Sequence, residues 1–135
     1  MTEPLSAPTG ELALQTLAMP RDANSNGDIF GGWVLSQMDL AGGVPAVRRA
    51  RGRIATVAVD AMRFHAPVGI GDLVSCYAEI TRVGTTSITV RIETWATRKN
   101  TGERVRVTEG TYVFVAIDEQ GRPRPVPPVE PDEAQ

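Results

Sequence analysis

The feature that most constrains this chain of 135 residues is a change in hydrophobic period near Ile54. Before that point, one segment carries apolar residues at helical spacing. The stripe consists of Phe30, Val34, Met38 and Ala41. After it, segments rich in Val, Ile, Thr, Tyr and Trp alternate with a period of two between turn residues. Such a chain can bury its apolar surface by laying one helix across one face of a sheet.

The predicted order is a short strand, a long helix and four long strands. We expect the first strand within residues 11–19 and the helix from residues 29–32 to about residue 50. A kink or a restart is expected at Pro45, which has no N–H to donate. The later strands are predicted at 54–65, 73–82, 87–97 and 104–117. Short connections make the last three an antiparallel meander, so the predicted fold class is α+β with about five antiparallel strands.

The two ends of the chain differ in composition from its middle. Residues 1–10 show no periodicity, and residues 121–135 are rich in proline. We therefore expect a mobile N-terminus over 1–10, one domain over 11–120 and a flexible, unpaired tail over 121–135. Strand 73–82 is apolar on both faces, which favours dimerisation as the cover for the second face.

Composition argues against several classes of function. Hydrophobic residues make up 41% of the chain and charged residues 22%, as in an ordinary soluble globular protein. No apolar run approaches the ~18 residues of a membrane span, and no secretory signal is visible, so we expect a cytoplasmic protein without a membrane partner. The net charge of −2 disfavours nucleic acid as a partner. A single cysteine, Cys76, and a single histidine, His65, leave no credible metal site.

A polar loop leads into the predicted helix and suggests an anion-binding site. Gly31 and Gly32 would let a ligand approach the first helical amides, which have no acceptor within the helix. The alternative is that these glycines only permit close packing of the helix on the sheet.

Asp39 is the one carboxylate in the apolar helical segment. Because a buried carboxylate is costly unless it is paired, Asp39 is a candidate general base or charge stabiliser; the alternative is a partly exposed Asp on the outer edge of the helix. Seven residues separate it from Gly32, which is about 10 Å along a helix. That is too far for both groups to contact one reacting atom. We therefore predict that each site combines the helix start of one subunit with Asp39 of the partner subunit.

Three blocks follow one another along the chain: DANSNGDIFGGWVLSQMD, TVAVDAMRFHAPVGIGD and VGTTSITVRIETW. Together, over about residues 11–125, they resemble the bacterial YciA-type acyl-CoA thioesterases of the hotdog superfamily. The resemblance implies a long helix wrapped by an antiparallel sheet, and dimers assembled further into tetramers or hexamers. It also implies hydrolysis of acyl-CoA to the free acid and CoA, with no cofactor beyond the substrate.

By position, the resemblance assigns the catalytic Asp to Asp39 and an important loop Asn to Asn24. The amide that binds the thioester oxygen falls on Gly31 or Gly32. In related enzymes the Asp and the Asn come from opposite sides of an interface, which agrees with the distance argument. The implied reaction is attack by water, with Asp39 as general base or nucleophile and Asn24 positioning the water or the carbonyl.

Further residues are candidates for contacts with CoA or the acyl group. For the phosphates and pantetheine they are Thr86, Ser87, Arg98, Lys99 and the basic run Arg48, Arg49, Arg51 and Arg53. The alternative for each is an ordinary turn residue or a solvated helix end. Trp33 would line the acyl pocket or pack at the dimer contact.

Two other functions compete with the thioesterase. One is a non-catalytic hotdog module that binds acyl-CoA or CoA, against which the pairing of Asn24 with Asp39 argues. The other is a hotdog dehydratase or hydratase, whose relatives rely on a catalytic His. His65 lies well outside the helix and its leading loop, which disfavours that reading.

Overall fold

The computed structural model describes residues 7–129, which form one long helix against a five-stranded sheet. In chain order the elements are β1 (Glu11–Leu17), a short 3-10 helix (Pro20–Asp22), α1 (Gly31–Ala50), β2 (Ile54–Phe64), β3 (Leu73–Val83), β4 (Ser87–Thr97) and β5 (Arg104–Ala116). The strands lie in the order β1-β3-β4-β5-β2, and all neighbouring pairs are antiparallel. The predicted α+β fold and the meander of β3, β4 and β5 are confirmed.

Helix α1 occupies the predicted span. It ends at Ala50 and is followed by the C-cap residue Arg51, which has a left-handed φ of 56° and donates its N–H to the carbonyl of Val47. Pro45 lies inside α1, and the helix continues across it, so the restart considered from the sequence does not occur. Ala46 and Ala50 beyond the proline are fully buried, and their packing on the sheet holds the last turns in place.

One stripe of α1 packs on the sheet. Its buried residues are Val34, Met38, Ala41, Gly42, Ala46 and Ala50. Phe30, which the sequence pattern placed in the same stripe, is instead 53% exposed. Phe30 precedes the first helical residue and has an extended ψ of 135°, so its side chain does not follow the helical period.

Gly42 allows α1 to lie close to the sheet. A Cβ atom there would stand 2.6 Å from Ile92 Cδ1 and 3.1 Å from the ring of Phe114. We predict that Gly42→Val lowers the free energy of unfolding by about 1–3 kcal/mol, because the core cannot absorb the added carbons without strain. Urea denaturation checks this. Gly43→Val is the matched control, since a Cβ at Gly43 meets only Ile54 Cδ1, at 3.9 Å; an equal loss in both variants would contradict the explanation.

The proline-rich segment after β5 is bonded to the rest of the fold. The N–H of Arg124 donates to the carbonyl of Ala116 at 2.9 Å, and that of Val126 to the carbonyl of Thr85 at 2.8 Å. The expected unpaired tail is therefore wrong for this part of the chain. The prolines lack donors, but Arg124 and Val126 alternate with them and supply the missing N–H groups.

The same segment caps the end of α1. The guanidinium of Arg124 donates to the carbonyl of Ala50 at 2.8 Å and to that of Ile117 at 3.0 Å. Arg49 reaches the carbonyl of Pro127. These bonds satisfy a carbonyl that the helix leaves without a partner. Residues 1–6 and 130–135 lie outside the described part of the chain, so the mobility expected at both ends stays a prediction.

Apolar side chains on α1 and on the edge strand β2 are left uncovered in the single chain. They are Leu40, Val44 and Val47 on the helix, and Val57 and Val59 on the strand. An unpaired strand edge beside exposed apolar side chains is typical of an interface with another chain. The surface that a second subunit would cover therefore lies on α1 and β2.

Candidate active site

Asp39 lies on the flank of α1, facing β2. Its Oδ1 accepts a hydrogen bond of 2.6 Å from Thr56 Oγ1 of β2, while its neighbour Met38 is fully buried in the core. The carboxylate itself is partly exposed. Within residues 7–129 its second oxygen, Oδ2, makes no hydrogen bond. One oxygen of Asp39 is therefore held, and the other is open to a ligand or a water molecule.

Tyr112 supports the helical turn that carries Asp39. Its side chain is buried, and its hydroxyl donates to the carbonyl of Leu35 at 2.7 Å. Leu35 stands four residues before Asp39, so the same carbonyl also receives the N–H of Asp39 in the helical pattern. Burial raises the pKa of Tyr112, and the negative charge of Asp39 raises it further. Tyr112 is thus a neutral donor that fixes the backbone beneath Asp39.

The start of α1 is open. Phe30 at the N-cap provides no side-chain bond, and in the described part of the chain the N–H groups of Gly31 and Gly32 have no acceptor. Among residues 7–129, nothing lies within 4 Å of a Cβ built at Gly32, and only the Phe64 ring, at 3.5 Å, approaches one at Gly31. Close packing on the sheet therefore does not explain these two glycines. Their amides are free to bind an oxyanion at the positive end of the helix.

Asn24 orders the loop that precedes the helix. Its Oδ1 accepts the N–H groups of Asn26 and Asp28 at 2.9 and 3.2 Å, and its own N–H donates to the carbonyl of Asp28 at 2.7 Å. This is an Asx-type turn, as the loop composition predicts. Among residues 7–129 the side-chain Nδ2 has no partner, so Asn24 retains a donor for a ligand.

A cavity of about 370 Å³ adjoins the start of α1. It is lined by Ile29, Gly31, Val34, Phe64, His65, Ala66, Pro67, Val68 and Val107. Most of these side chains are apolar. Trp33 is not in the lining; it packs, partly buried, against the core. The arrangement suits a polarised carbonyl at the amides with a hydrocarbon chain in the cavity.

A single chain does not bring all the candidate catalytic groups together. Gly31 borders the cavity, whereas Asp39 contacts β2 and is absent from the cavity lining. The two groups are about 12 Å apart along the helix. This separation agrees with the distance argument from the sequence, and the completion of the site by a second subunit stays a prediction.

The residues suggested for CoA contacts divide between two ends of the sheet. Thr86 and Ser87 precede or begin β4 and Arg98 and Lys99 follow it, about 35 Å away along a strand of 11 residues. Arg98 bonds the buried carboxylate of Asp72 at 2.7 Å. That ion pair favours the structural alternative for Arg98. Nothing in the single chain lets both ends contact the same phosphate group.

Two arginines of the basic run at the end of α1 make hydrogen bonds within the fold. Arg49 bonds the carbonyl of Pro127, and Arg53 bonds the carbonyl of Glu119 at 3.1 Å. Neither acceptor was predicted from the sequence, because both are backbone carbonyls at least 66 residues away along the chain.

Sequence reasoning missed two sets of partners. The first is Thr56, which reads as an ordinary strand residue within ATVAV. The second is a cluster around His65 on the sheet face away from α1. His65 Nε2 lies 2.7 Å from Glu109 Oε2, and the same carboxylate binds Arg106 at 2.9 Å and Arg91 at 3.1 Å. Arg91 also binds the buried Glu93.

The strand register explains the cluster. Glu93 and Glu109 stand opposite each other on β4 and β5, so two carboxylates need shared cations. Burial acts to raise the pKa of Glu109, but the hydrogen bond from His65 and the charges of Arg106 and Arg91 hold it below its ordinary value. His65 is thus held by a carboxylate that also binds two arginines, which supports a structural role for this side chain. The alternation of Arg and Glu along β4 and β5 was the sequence pattern from which this cluster could have been predicted.

Residues 7–129 contain neither a membrane-spanning helix nor a cluster of metal ligands. No helix there has the length and apolar character needed to cross a membrane. No group of three or more His, Cys, Asp or Glu side chains in the same residues is arranged to hold a metal ion.

Comparison with known proteins identifies the family. The thioesterase superfamily model matches residues 26–103. The chain is 49% identical to the acyl-CoA thioester hydrolase YciA of Salmonella typhimurium, over 94% of this chain and 98% of that protein. It is 51% identical to the solved hexameric thioesterase y2039 from Yersinia pestis, with a TM-score of 0.87, covering 91% of this chain and 100% of that one.

A second solved structure is a hexameric, broad-specificity acyl-coenzyme A thioesterase. It is 45% identical, with a TM-score of 0.88, over 95% of this chain and 88% of its own. The resemblance of the three sequence blocks is thereby confirmed. Since the superfamily model covers more than half of the chain and these relatives match it almost end to end, the chain belongs to the thioesterase superfamily, among the YciA-type acyl-CoA thioesterases of hotdog fold.

Proposed function

We propose that this protein hydrolyses acyl-CoA thioesters to the free acid and CoA, as a cytoplasmic homo-oligomer that needs no cofactor beyond its substrate. The observation that carries the proposal is the start of α1, where the amides of Gly31 and Gly32 are unpaired, Gly31 borders an apolar cavity, and the same helix carries an open carboxylate. The relatives act on the same class of thioester.

In the proposed reaction, the thioester oxygen binds the amides of Gly31 and Gly32. Asp39 of the partner subunit takes a proton from water through its open oxygen, and the water oxygen attacks the carbonyl carbon. The amides stabilise the resulting oxyanion, an effect commonly worth about 3–4 kcal/mol. Collapse of the intermediate breaks the carbon–sulfur bond, and the proton held by Asp39 passes to the CoA thiolate. Asn24 positions the water or the carbonyl through Nδ2.

A second subunit completes each site in this proposal. The uncovered apolar residues of α1 and β2 provide the interface, on the flank that carries Asp39. An antiparallel arrangement of two helices places the start of each near Asp39 of the other and creates two equivalent sites per dimer. The relatives of known structure are hexamers, so assembly beyond the dimer is also proposed.

The function is tested with a series of acyl-CoAs of increasing chain length. Released CoA is measured with a thiol reagent, and binding of CoA is followed in parallel by thermal shift. We expect turnover on at least part of the series. Binding without turnover on any member would instead identify a non-catalytic acyl-CoA-binding module.

Thr56 should affect the rate more than binding. Thr56→Val keeps the shape of the side chain but removes the donor to Oδ1 of Asp39, so that carboxylate loses its orientation. We expect kcat to fall about 10-fold or more with KM little changed, since hydrogen bonds to charged groups contribute about 1.5–3 kcal/mol. Steady-state kinetics on one acyl-CoA measures this. Thr56→Ser, which retains the hydroxyl, should recover most of the rate; equal losses in both variants would show that the hydroxyl is not responsible.

A further inference from the structure

The apolar cavity beside α1 has a packed floor and one exposed wall. Val34, Val68 and Val107 are almost fully buried, so their positions are set by the core. Phe64 also lines the cavity but is 52% exposed. Its ring stands 3.5 Å from a Cβ built at Gly31, next to the amides proposed to bind the thioester oxygen. Phe64 is therefore a large, half-exposed side chain that lines the cavity next to the start of α1.

A bulge in β2 puts Phe64 on this side of the sheet. Val59 pairs with Tyr112 and therefore lies on the helix side, where strict alternation would next place residues 61 and 63. The register shifts between Asp60 and Arg63, and Phe64 then pairs with Thr108. Phe64 consequently shares the helix side with Tyr112. Without the extra residue, its ring would lie on the opposite face.

The bulge has an energetic cost that ordinary strand pairing does not require. Ala61 adopts a left-handed φ of 51°, which is unfavourable for a residue with a Cβ. Met62 beside it lies over Gly110, where a Cβ would be 2.4 Å from Met62 Cε. Bulges at such positions commonly re-aim a side chain near a functional site. The side chain re-aimed here is Phe64.

We propose that Phe64 determines the acyl-chain length that this enzyme accepts, and that its substrates carry uncharged hydrocarbon acyl groups. The proposal rests on the thioesterase function. With the carbonyl at the amides of Gly31 or Gly32, the chain enters an apolar cavity whose one ionisable lining residue, His65, is already bound to Glu109. A charged acyl terminus would lose its hydration there without gaining a partner. The phenyl ring of Phe64 limits the length of cavity open to the chain.

The test compares kcat/KM for a long and a short acyl-CoA in two Phe64 variants. Phe64→Ala should raise the long-to-short ratio about 10-fold or more, because even one methylene in an apolar pocket is worth about that factor. Phe64→Trp should lower the ratio. Phe30→Ala is the matched control, since Phe30 is equally exposed at the helix start but does not line the cavity; its ratio should stay at the wild-type value.

The outcomes separate this proposal from the proposed function. An unchanged ratio in both Phe64 variants, or an equal loss on every chain length, would overturn the role of Phe64 while the wild type still hydrolyses acyl-CoA. Turnover by wild type on none of the substrates would instead refute the thioesterase itself. Melting temperatures establish that each variant is folded, and the Trp variant decides the matter if the Ala variant is not.

Discussion

Replacing Asp39 by alanine is expected to lower kcat by about 10²–10⁴-fold, the range ascribed to a positioned general base. The fold should survive, because the carboxylate is partly exposed and within residues 7–129 its one hydrogen-bond partner is Thr56, whose hydroxyl can turn to solvent. Acyl-CoA hydrolysis and urea denaturation of the same preparation measure both effects. Turnover near that of wild type would remove Asp39 from the mechanism.

Two further variants make the result specific. Asp39→Asn keeps an acceptor for Thr56 Oγ1 but cannot accept a proton from water, so it should be nearly as inactive as the alanine variant. Asp60→Ala removes an exposed carboxylate of β2 and should retain the wild-type rate. Together they distinguish the loss of a base from the loss of negative charge near the edge strand.

A single-turnover reaction in ¹⁸O-labelled water separates the two roles open to Asp39. As a general base, Asp39 leaves the label in the released acid. As a nucleophile, it forms an anhydride whose hydrolysis can leave the label in the carboxylate of the protein. Mass spectrometry of the peptide that contains Asp39 measures whether the label has entered its carboxylate.

Mixing two inactive variants is expected to restore activity. If each site takes Asp39 from one subunit and the helix-start loop from the other, a mixed dimer of Asp39→Ala and Asn24→Asp chains contains one intact site and one doubly altered site. With random pairing, half of the dimers are mixed and half of their sites work, so about a quarter of the wild-type activity should return. Co-expression with two different affinity tags allows the mixed species to be isolated and assayed.

Asn24→Asp is chosen because it preserves the loop. An aspartate oxygen can still accept the N–H groups of Asn26 and Asp28, while the Nδ2 donor is lost. Activity in the mixture no higher than the average of the two parent variants would show that each chain forms its own site. The separation of Gly31 from Asp39 along α1 makes that outcome unexpected.

Much of the fold was predictable because it depends on local patterns. The change of hydrophobic period near Ile54 predicted the helix and the strands, and the short turns predicted the antiparallel meander. Asp39 was recognisable because a lone carboxylate in an apolar helix is costly to bury unless it is paired. In each case the information lies in residues close together in the sequence.

The remaining features depend on contacts between distant residues. The bond from Thr56 to Asp39 follows from where β2 passes along α1, and the position of Phe64 follows from a bulge that alternation cannot reveal. Arg98 looked like a phosphate ligand because its partner, Asp72, is 26 residues away in sequence. Proline content predicted a tail without donors, yet it gave no information about the carbonyls that receive Arg124 and Val126.

Those tail bonds change where the folding unit ends. Helix α1 is secured at its far end by a residue beyond the last strand, since Arg124 donates to the carbonyls of both Ala50 and Ile117. The hydrogen-bonded part of the fold therefore extends to about residue 127, past the boundary that composition suggests. The segment that follows β5 covers the end of α1. Local opening of the last ten or so described residues would therefore loosen the helix that carries Asp39.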